Sequence, residues 1–251
     1  MADADSPIQY RGARLELVGA DGDGVAQRLR TLIDRTDGKI VLTNGFGIEG
    51  QLIAHHIFTE KLPIDVVTID TGRLFPETYR LWQAIEERYA VRIRAIYPEA
   101  EAVAEMVADS GINGFRYATD SRLACCGVRK VEPMKRALAG ASAWITGLRS
   151  DQSSTRSRVR LIDWDATRGL VKFAPLFDRT RGSIVAECER LGVPVNELHA
   201  RGYLSIGCEP CTRAVVPGEA ERSGRWWWEA DDSKECGIHV ADRGPGRTRA
   251  A

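Results

Sequence analysis

The feature that most constrains this chain is a pair of cysteine pairs. Cys125 and Cys126 are adjacent, Cys208 and Cys211 are spaced C-x-x-C, and a long stretch of chain separates the two. Four sulfur ligands drawn from distant segments require a fold that brings those segments together at one point. Neighbouring α-carbons are about 3.8 Å apart and their side chains diverge, so closing both members of an adjacent pair onto one tetrahedral zinc is awkward. A cube offers separate irons to adjacent thiolates. The spacing therefore favours a [4Fe–4S] cluster, with zinc second and disulfides or plain buried thiols third.

Size and charge bound the rest. The chain has 251 residues, room for one α/β domain with a full core or a domain plus an appended lobe. Lys+Arg and Asp+Glu are both 35, so no global field draws the protein to nucleic acid or a membrane, and any anion site must be local. No apolar run approaches the roughly 18 residues of a membrane helix, and the N-terminus lacks a signal pattern. Six cysteines in a chain this long suit thiol chemistry in a reducing cytoplasm better than a secreted disulfide scaffold.

Short apolar runs at 39–43, 64–69, 91–96 and 143–148 read as strands, and 161–164 with 170–175 as a short antiparallel pair. Helical patterns fall at 51–59, 77–89, 100–108, 128–138 and 182–191. This alternation predicts a mostly parallel sheet with helices on both faces, whose ligands bind at the carboxyl ends of strands. Those ends are 43–47, 69–73 and 147–156. The loop Asn44-Gly45-Phe46-Gly47-Ile48-Glu49-Gly50 joins a strand to a helix and can offer backbone amides to an anion, although ordinary βα turns also contain glycine. The chain divides into a loose arm with a short helix (1–24), the α/β domain (25–201), a C-terminal segment (202–240) and a disordered tail (241–251).

Cys236 belongs to neither pair. It lies between Lys234 and His239, cations that would lower its pKa toward a reactive thiolate; the plain alternative is an incidental surface thiol. Cys188 sits on a helix's apolar face and reads as a packed core thiol. Neither His55 nor His56 has partners at ligand spacing. Arg222 and Arg225 flank Ser223-Gly224; their forks fit phosphate or sulfate, against the alternative of a solvated charged face. Trp226, Trp227 and Trp228 read as packing of the C-terminal segment. A nucleic-acid stacking platform would want an accompanying basic groove.

Five motifs resemble those of bacterial assimilatory adenylylsulfate reductases, in order and over about residues 39–240. They are Cys125-Cys126-x-x-Arg129-Lys130-x-x-Pro133; Thr146-Gly147-Leu148-Arg149 with Gln152-Ser153 and Thr155-Arg156; Gly202-Tyr203-x-Ser205-Ile206-Gly207-Cys208-x-x-Cys211-Thr212; Gly224-Arg225-Trp226-Trp227; and Lys234-Glu235-Cys236-Gly237-Ile238-His239. The resemblance implies an adenine-nucleotide α-hydrolase-like sheet, a structural and electrostatic [4Fe–4S] cluster on Cys125, Cys126, Cys208 and Cys211, and Cys236 as the nucleophile that attacks the sulfate sulfur of adenosine 5′-phosphosulfate. AMP would leave, and thioredoxin would release sulfite from the resulting S-sulfocysteine. It further implies that Lys130, Arg222, Arg225 and His239 face the phosphosulfate. Gly147 and Arg156 would contact the nucleotide, the backbone near Ile69 the adenine, and Phe46 and Gly47 would belong to a phosphate-loop-like turn. One departure stands out. Where many cluster-bearing members have serines and a Glu-Asp pair in that turn, this chain has Asn44 to Gly50, closer to cluster-free reductases of the 3′-phosphorylated nucleotide. The alternatives are that substrate, or a non-enzymatic cluster module that reads adenine nucleotides. Oligomeric state is left open.

Overall fold

The computed structural model describes residues 8–10, 13–15, 24–229, 235, 237 and 238. At the N-terminus β1 (Ile8–Tyr10) and β2 (Ala13–Leu15) pair antiparallel; the other residues of the expected arm, Gly24 apart, lie outside the described residues.

α1 (Val25–Asp34) begins the domain. Val25, Leu29 and Leu32 form its buried stripe, with Arg28 buried beside them. The main sheet has six strands. β3 (Lys39–Thr43), β4 (Asp65–Ile69), β5 (Arg94–Ile96), β6 (Ala141–Ile145) and β8 (Leu170–Phe173) run parallel, and β7 (Ile162–Asp165) closes one edge antiparallel to β8. The spatial order is β5-β4-β3-β6-β8-β7. Strand alternation builds two cores. Ile40, Leu42, Val66, Ala143, Ile145, Val171 and Phe173 face α1, α2 (Ile48–Thr59), α3 (Pro76–Tyr89) and α7 (Arg181–Leu191). Val41, Val67, Trp144 and Leu170 face Met134, Ala137 and Leu138 of α6 (Glu132–Ala137) and its cap, together with Ile238. The mostly parallel sheet with helices on both faces is therefore the fold.

Local chemistry sets the ends of these elements. Pro76 occupies the first turn of α3, where its missing N–H is not needed. The Thr180 hydroxyl caps α7 by accepting from the Ser183 amide, and Gly192 ends it in the left-handed region at φ 61. α4 (Ala100–Ser110) buries no residue fully and forms an outer layer.

Two differences from the sequence reading matter for the site. Strand β5 is only three residues long. The expected helix over 128–138 is instead a π-helical turn (Gly127–Val131) followed by α6, and the two continue directly from α5 (Thr119–Cys126). Proline at 133 removes an amide from the regular ladder, and a wider turn accommodates it.

β3 and β6 are neighbours, yet the chain leaves β3 toward β4 and leaves β6 toward β8. Their connections part company at this point, which opens a crevice at the carboxyl end of the sheet.

Candidate active site

The crevice is a cavity of about 260 Å³. Three sheet loops form its floor, through Thr43 to Gly50, Ile69 with Thr71, and Thr146 to Leu148. Lys130 and Met134 come from the π turn and α6, and the segment through Leu204 to Cys208 closes the far wall. Over this lie Glu221, Arg222, Arg225 and Trp226, with Glu235 and Ile238 at the rim. Of the residues singled out from the sequence, Gly47, Ile69, Lys130, Gly147, Arg156, Arg222 and Arg225 all line this one cavity.

Phe46 does not. Its backbone is in the left-handed region at φ 58, which turns the ring into the core, where it is 1% exposed and stacks on Trp82 at 5.6 Å. A phenyl ring is better placed among apolar neighbours than in a polar crevice, so this residue shapes the loop and its side chain contacts no ligand space. Gly47 precedes the first turn of α2, and no side chain caps that helix end, leaving its amides to the cavity wall. Gly147 is needed for space: a Cβ there would lie 2.9 Å from the Cβ of Glu49. The Asn44 carboxamide folds back to accept from the Phe46 amide at 2.9 Å. A Cβ at Gly50 would meet its Oδ1 at 2.5 Å, so Asn44 occupies the room that a larger residue at 50 would claim.

The sequence reading gave Arg149 no role. Its guanidinium is wholly buried and pairs with Glu49 at 2.9 Å, Glu221 at 2.7 Å and Asp151, tying the start of α2 and the segment before Arg222 to the loop after β6. The signal was an arginine followed at once by polar residues at a strand end; its partners are too distant in sequence to be read. Burial and the neighbouring Glu49 push the Glu221 carboxyl up, against the pull of Arg149.

The cations are held individually. Arg156 donates to Gln152 at 2.6 Å and pairs with Glu235 at 3.1 Å. Arg222 also pairs with Glu235, at 3.2 Å. Arg225 is buried, lies over Trp226 at 4.6 Å, and fills the space above Gly207 that any Cβ would need. Arg122 lies at the same distance from that indole, so Trp226 is a packed element of the site. Trp226 is 1% exposed and packs as expected, and Trp228 is half-buried against Phe115, but Trp227, expected to pack with them, is exposed.

Lys130 also lines a second, much smaller void, shared with Cys125, Cys126, Cys208 and Cys211. The two pairs therefore meet. Cys208, Cys211 and Cys126 are buried, Cys125 is half-buried, and all four are free thiols rather than disulfides. The Cys208 sulfur lies 3.3 Å from the Thr71 hydroxyl. Burial pushes the Cys211 thiol up to about 12 and raises Cys125 as well, with the neighbouring Cys208 sulfur adding to both. Burial also opposes ionisation of Cys208, but Lys130, the Thr71 hydroxyl and Arg225 outweigh it and hold that thiol low. Four such sulfurs cannot all ionise together unless a cation sits among them. Among the described residues, no three His, Cys, Asp or Glu side chains are gathered tightly enough for one metal ion. The thiols instead surround a shared space. Cys188 is the buried core thiol expected, its pKa pushed up to about 12 chiefly by burial. Cys236 and His239 lie outside the described residues, as does the tail 241–251. No helix among the described residues is long and apolar enough to cross a membrane.

Residues 39–214 match the phosphoadenosine phosphosulfate reductase domain. The chain is 49% identical over 222 residues to an adenosine 5′-phosphosulfate reductase of Sinorhizobium fredii, covering 88% of each protein. It is 44% identical over 223 residues to an enzyme of the same name from Allochromatium vinosum, covering 89% of this chain and 87% of that one. A crystal structure of phosphoadenylyl-sulfate reductase from Candida auris, a phosphate complex, superimposes with a TM-score of 0.66 at 26% identity, over 81% of this chain and 99% of that one. The four-cysteine void, the switch-point cavity and these likenesses converge, and the chain belongs to the adenylylsulfate and phosphoadenylylsulfate reductase family.

Proposed function

We propose that the protein is a thioredoxin-dependent adenylylsulfate reductase, acting through an S-sulfocysteine on Cys236. One observation carries the reading. Lys130, Arg156, Arg222 and Arg225 converge on a single cavity at the switch point, and Glu235 and Ile238, which bracket Cys236 in sequence, line the same cavity. The nucleotide fits the carboxyl end of a parallel sheet, with its phosphosulfate toward the guanidinium groups. The Cys236 thiolate attacks the sulfate sulfur, the bond from that sulfur to the bridging phosphate oxygen breaks, and AMP leaves with the electron pair. Lys130 and the arginines stabilise the charge that builds on that oxygen. The family resemblance assigns His239, three residues beyond Cys236 in the sequence, to the same anion. A thiolate of the dithiol reductant then attacks the Cys236 sulfur. Sulfite departs with the electrons of the S–S bond, and the second thiol closes the reductant's disulfide and restores Cys236.

The four cysteines fit a [4Fe–4S] cluster. Their residues line one small void together with Lys130 and Arg129. Such a cluster would supply a structural clamp and a fixed local field rather than electrons. Lys130 touches both the void and the cavity and links that field to the bound anion. The reaction belongs to sulfate assimilation toward cysteine, in the cytoplasm.

A second reading has one supporting observation. A Cβ at Gly50 would meet Asn44 Oδ1 at 2.5 Å, so the loop lacks the acidic side chain that the resemblance expects at 50, and a turn with one fewer carboxylate admits a 3′-phosphorylated substrate more easily. Sulfite release from both nucleotides with thioredoxin, on protein purified without air and assayed for iron and acid-labile sulfide, tests all of this. About four irons per chain, with sulfite from the unphosphorylated nucleotide, is the expected result. Zinc in place of iron, or turnover only of the 3′-phosphorylated form, would contradict it.

A further inference from the structure

The cavity holds an acidic group that the reaction above does not use. Glu235 immediately precedes Cys236 in the sequence, and its carboxylate sits among the very cations that face the substrate. Arg156 grips it with both edges of its fork, Nε to Oε1 at 3.2 Å and Nη2 to Oε2 at 3.1 Å. Arg222 Nη2 closes on Oε2 at 3.2 Å. Thr155 Oγ1 reaches Oε1 at 3.5 Å, and Arg122 donates to the Glu235 backbone carbonyl. These are not solvated surface charges: the side chains of Arg156 and Arg222 are 11% and 12% exposed.

Guanidinium groups so withdrawn from water are unfavourable without a counter-anion. A carboxylate presents to a guanidinium fork the same two coplanar acceptors as a phosphate or sulfate does. Burial pushes the Glu235 carboxyl up, yet Arg156, Arg222 and Arg225 more than offset it and keep the group ionised.

We propose that Glu235 is an internal substitute for the substrate's phosphosulfate oxyanion, pairing with Arg156 and Arg222 in the nucleotide-free enzyme and surrendering them when the nucleotide arrives. Because Glu235 is bonded directly to Cys236, the exchange makes the position of the nucleophile depend on whether the cavity holds an anion. The inference rests on the reading of Cys236 as nucleophile and deepens it by naming a positioning residue.

The sign of one effect separates this from a simple anchoring role. An anchor keeps its ion pairs in the complex, so removing its charge weakens binding or leaves it unchanged. A substitute competes with the ligand, so removing its charge strengthens binding. The probe is adenosine 5′-phosphosulfate itself, titrated calorimetrically into cluster-bearing enzyme that carries Cys236→Ser and cannot consume it. Adding Glu235→Gln is expected to tighten binding about three- to tenfold, the scale of one competing ion pair in a partly screened site. Adding Glu235→Asp instead retains the competing charge and binds no more tightly than the parent. Equal or weaker binding in the Gln variant overturns the inference, as does equal tightening in the Asp variant. If the parent binds no nucleotide and the enzyme with Cys236 intact releases no sulfite, the functional reading fails and this inference with it. If both of those succeed while Glu235→Gln gains nothing, only the inference fails.

Discussion

Arg225 shows how a single side chain serves packing and charge at once. It lies flat on Trp226 at 4.6 Å, above a glycine that leaves no room for a Cβ, with its guanidinium at the cavity wall. Arg225→Ala is expected to raise KM for the nucleotide by the equivalent of about 2 kcal/mol, the loss of one charge-assisted contact. Arg225→Lys should recover only part of this, because an ammonium cannot reproduce the stacked, planar fork. Steady-state kinetics on both variants check it, and an unchanged KM in the Ala variant would mean the guanidinium only packs. At this scale the sequence was informative wherever residue type carried the chemistry: arginine pairs, cysteine pairs and glycines at strand ends. It was silent where the partner lies far along the chain. Nothing near Arg149 points to Glu221, and nothing in Asn44-Gly45-Phe46-Gly47 says that the ring turns inward while the glycine turns outward.

The helix that periodicity suggests just after the first cysteine pair begins instead as a π-helical turn. Cys125 and Cys126 end α5, and the π-helical turn over Gly127–Val131 carries Arg129 and Lys130 before α6 begins. A π turn re-aims side chains relative to a regular helix; Lys130 thereby reaches both the cysteine void and the nucleotide cavity. Periodicity cannot reveal such an insertion, since one wide turn shifts the phase without breaking the apolar pattern. The second pair arrives on a short 3₁₀ turn, Glu209–Cys211, with Cys208 at its N-terminal cap. With the proposed cluster in place, Cys208→Ser is expected to abolish the visible iron–sulfur absorbance and most activity, because that buried thiol would hold the two segments to one group. Normal iron content in that variant would remove Cys208 from the ligand set. Elsewhere α1 is pinned by Arg28, which is buried and donates to Asp178 and to the Pro175 carbonyl. The hydrogen bond from Arg28 holds the Asp178 carboxyl below its ordinary range, against burial. That contribution is present above the unfolded carboxylate pKa and is lost as pH falls through the lowered value. Arg28→Ala should cost on the order of 2 kcal/mol at neutral pH, mostly from the buried hydrogen bonds. Its deficit in Tm relative to the parent should narrow on acidification. A deficit that does not change with pH would assign the whole effect to packing.

For the molecule as a whole, the alternation of strands and helices was enough to give the sheet, and the sheet's strand order fixes where a ligand can enter. The order itself was not legible, because adjacency in a parallel sheet is decided by long-range packing rather than by any local pattern. Once β3 and β6 lie side by side, their loops diverge and the crevice follows. The returning C-terminal segment roofs it with Arg222, Arg225 and Trp226, then brings Glu235 and Ile238 to the rim. This arrangement suits the proposed nucleophile, which would serve two partners in turn, a small nucleotide inside the cavity and a protein dithiol outside it. The central claim is that Cys236 takes the sulfonate. Peptide mass spectrometry of cluster-bearing enzyme mixed with adenosine 5′-phosphosulfate, with reductant omitted, reads it directly. One added SO₃ is expected on the peptide that contains Cys236, with AMP released in equal amount and the adduct discharged as sulfite when thioredoxin is supplied. AMP release with no adduct on Cys236, or an adduct on another cysteine, would contradict it.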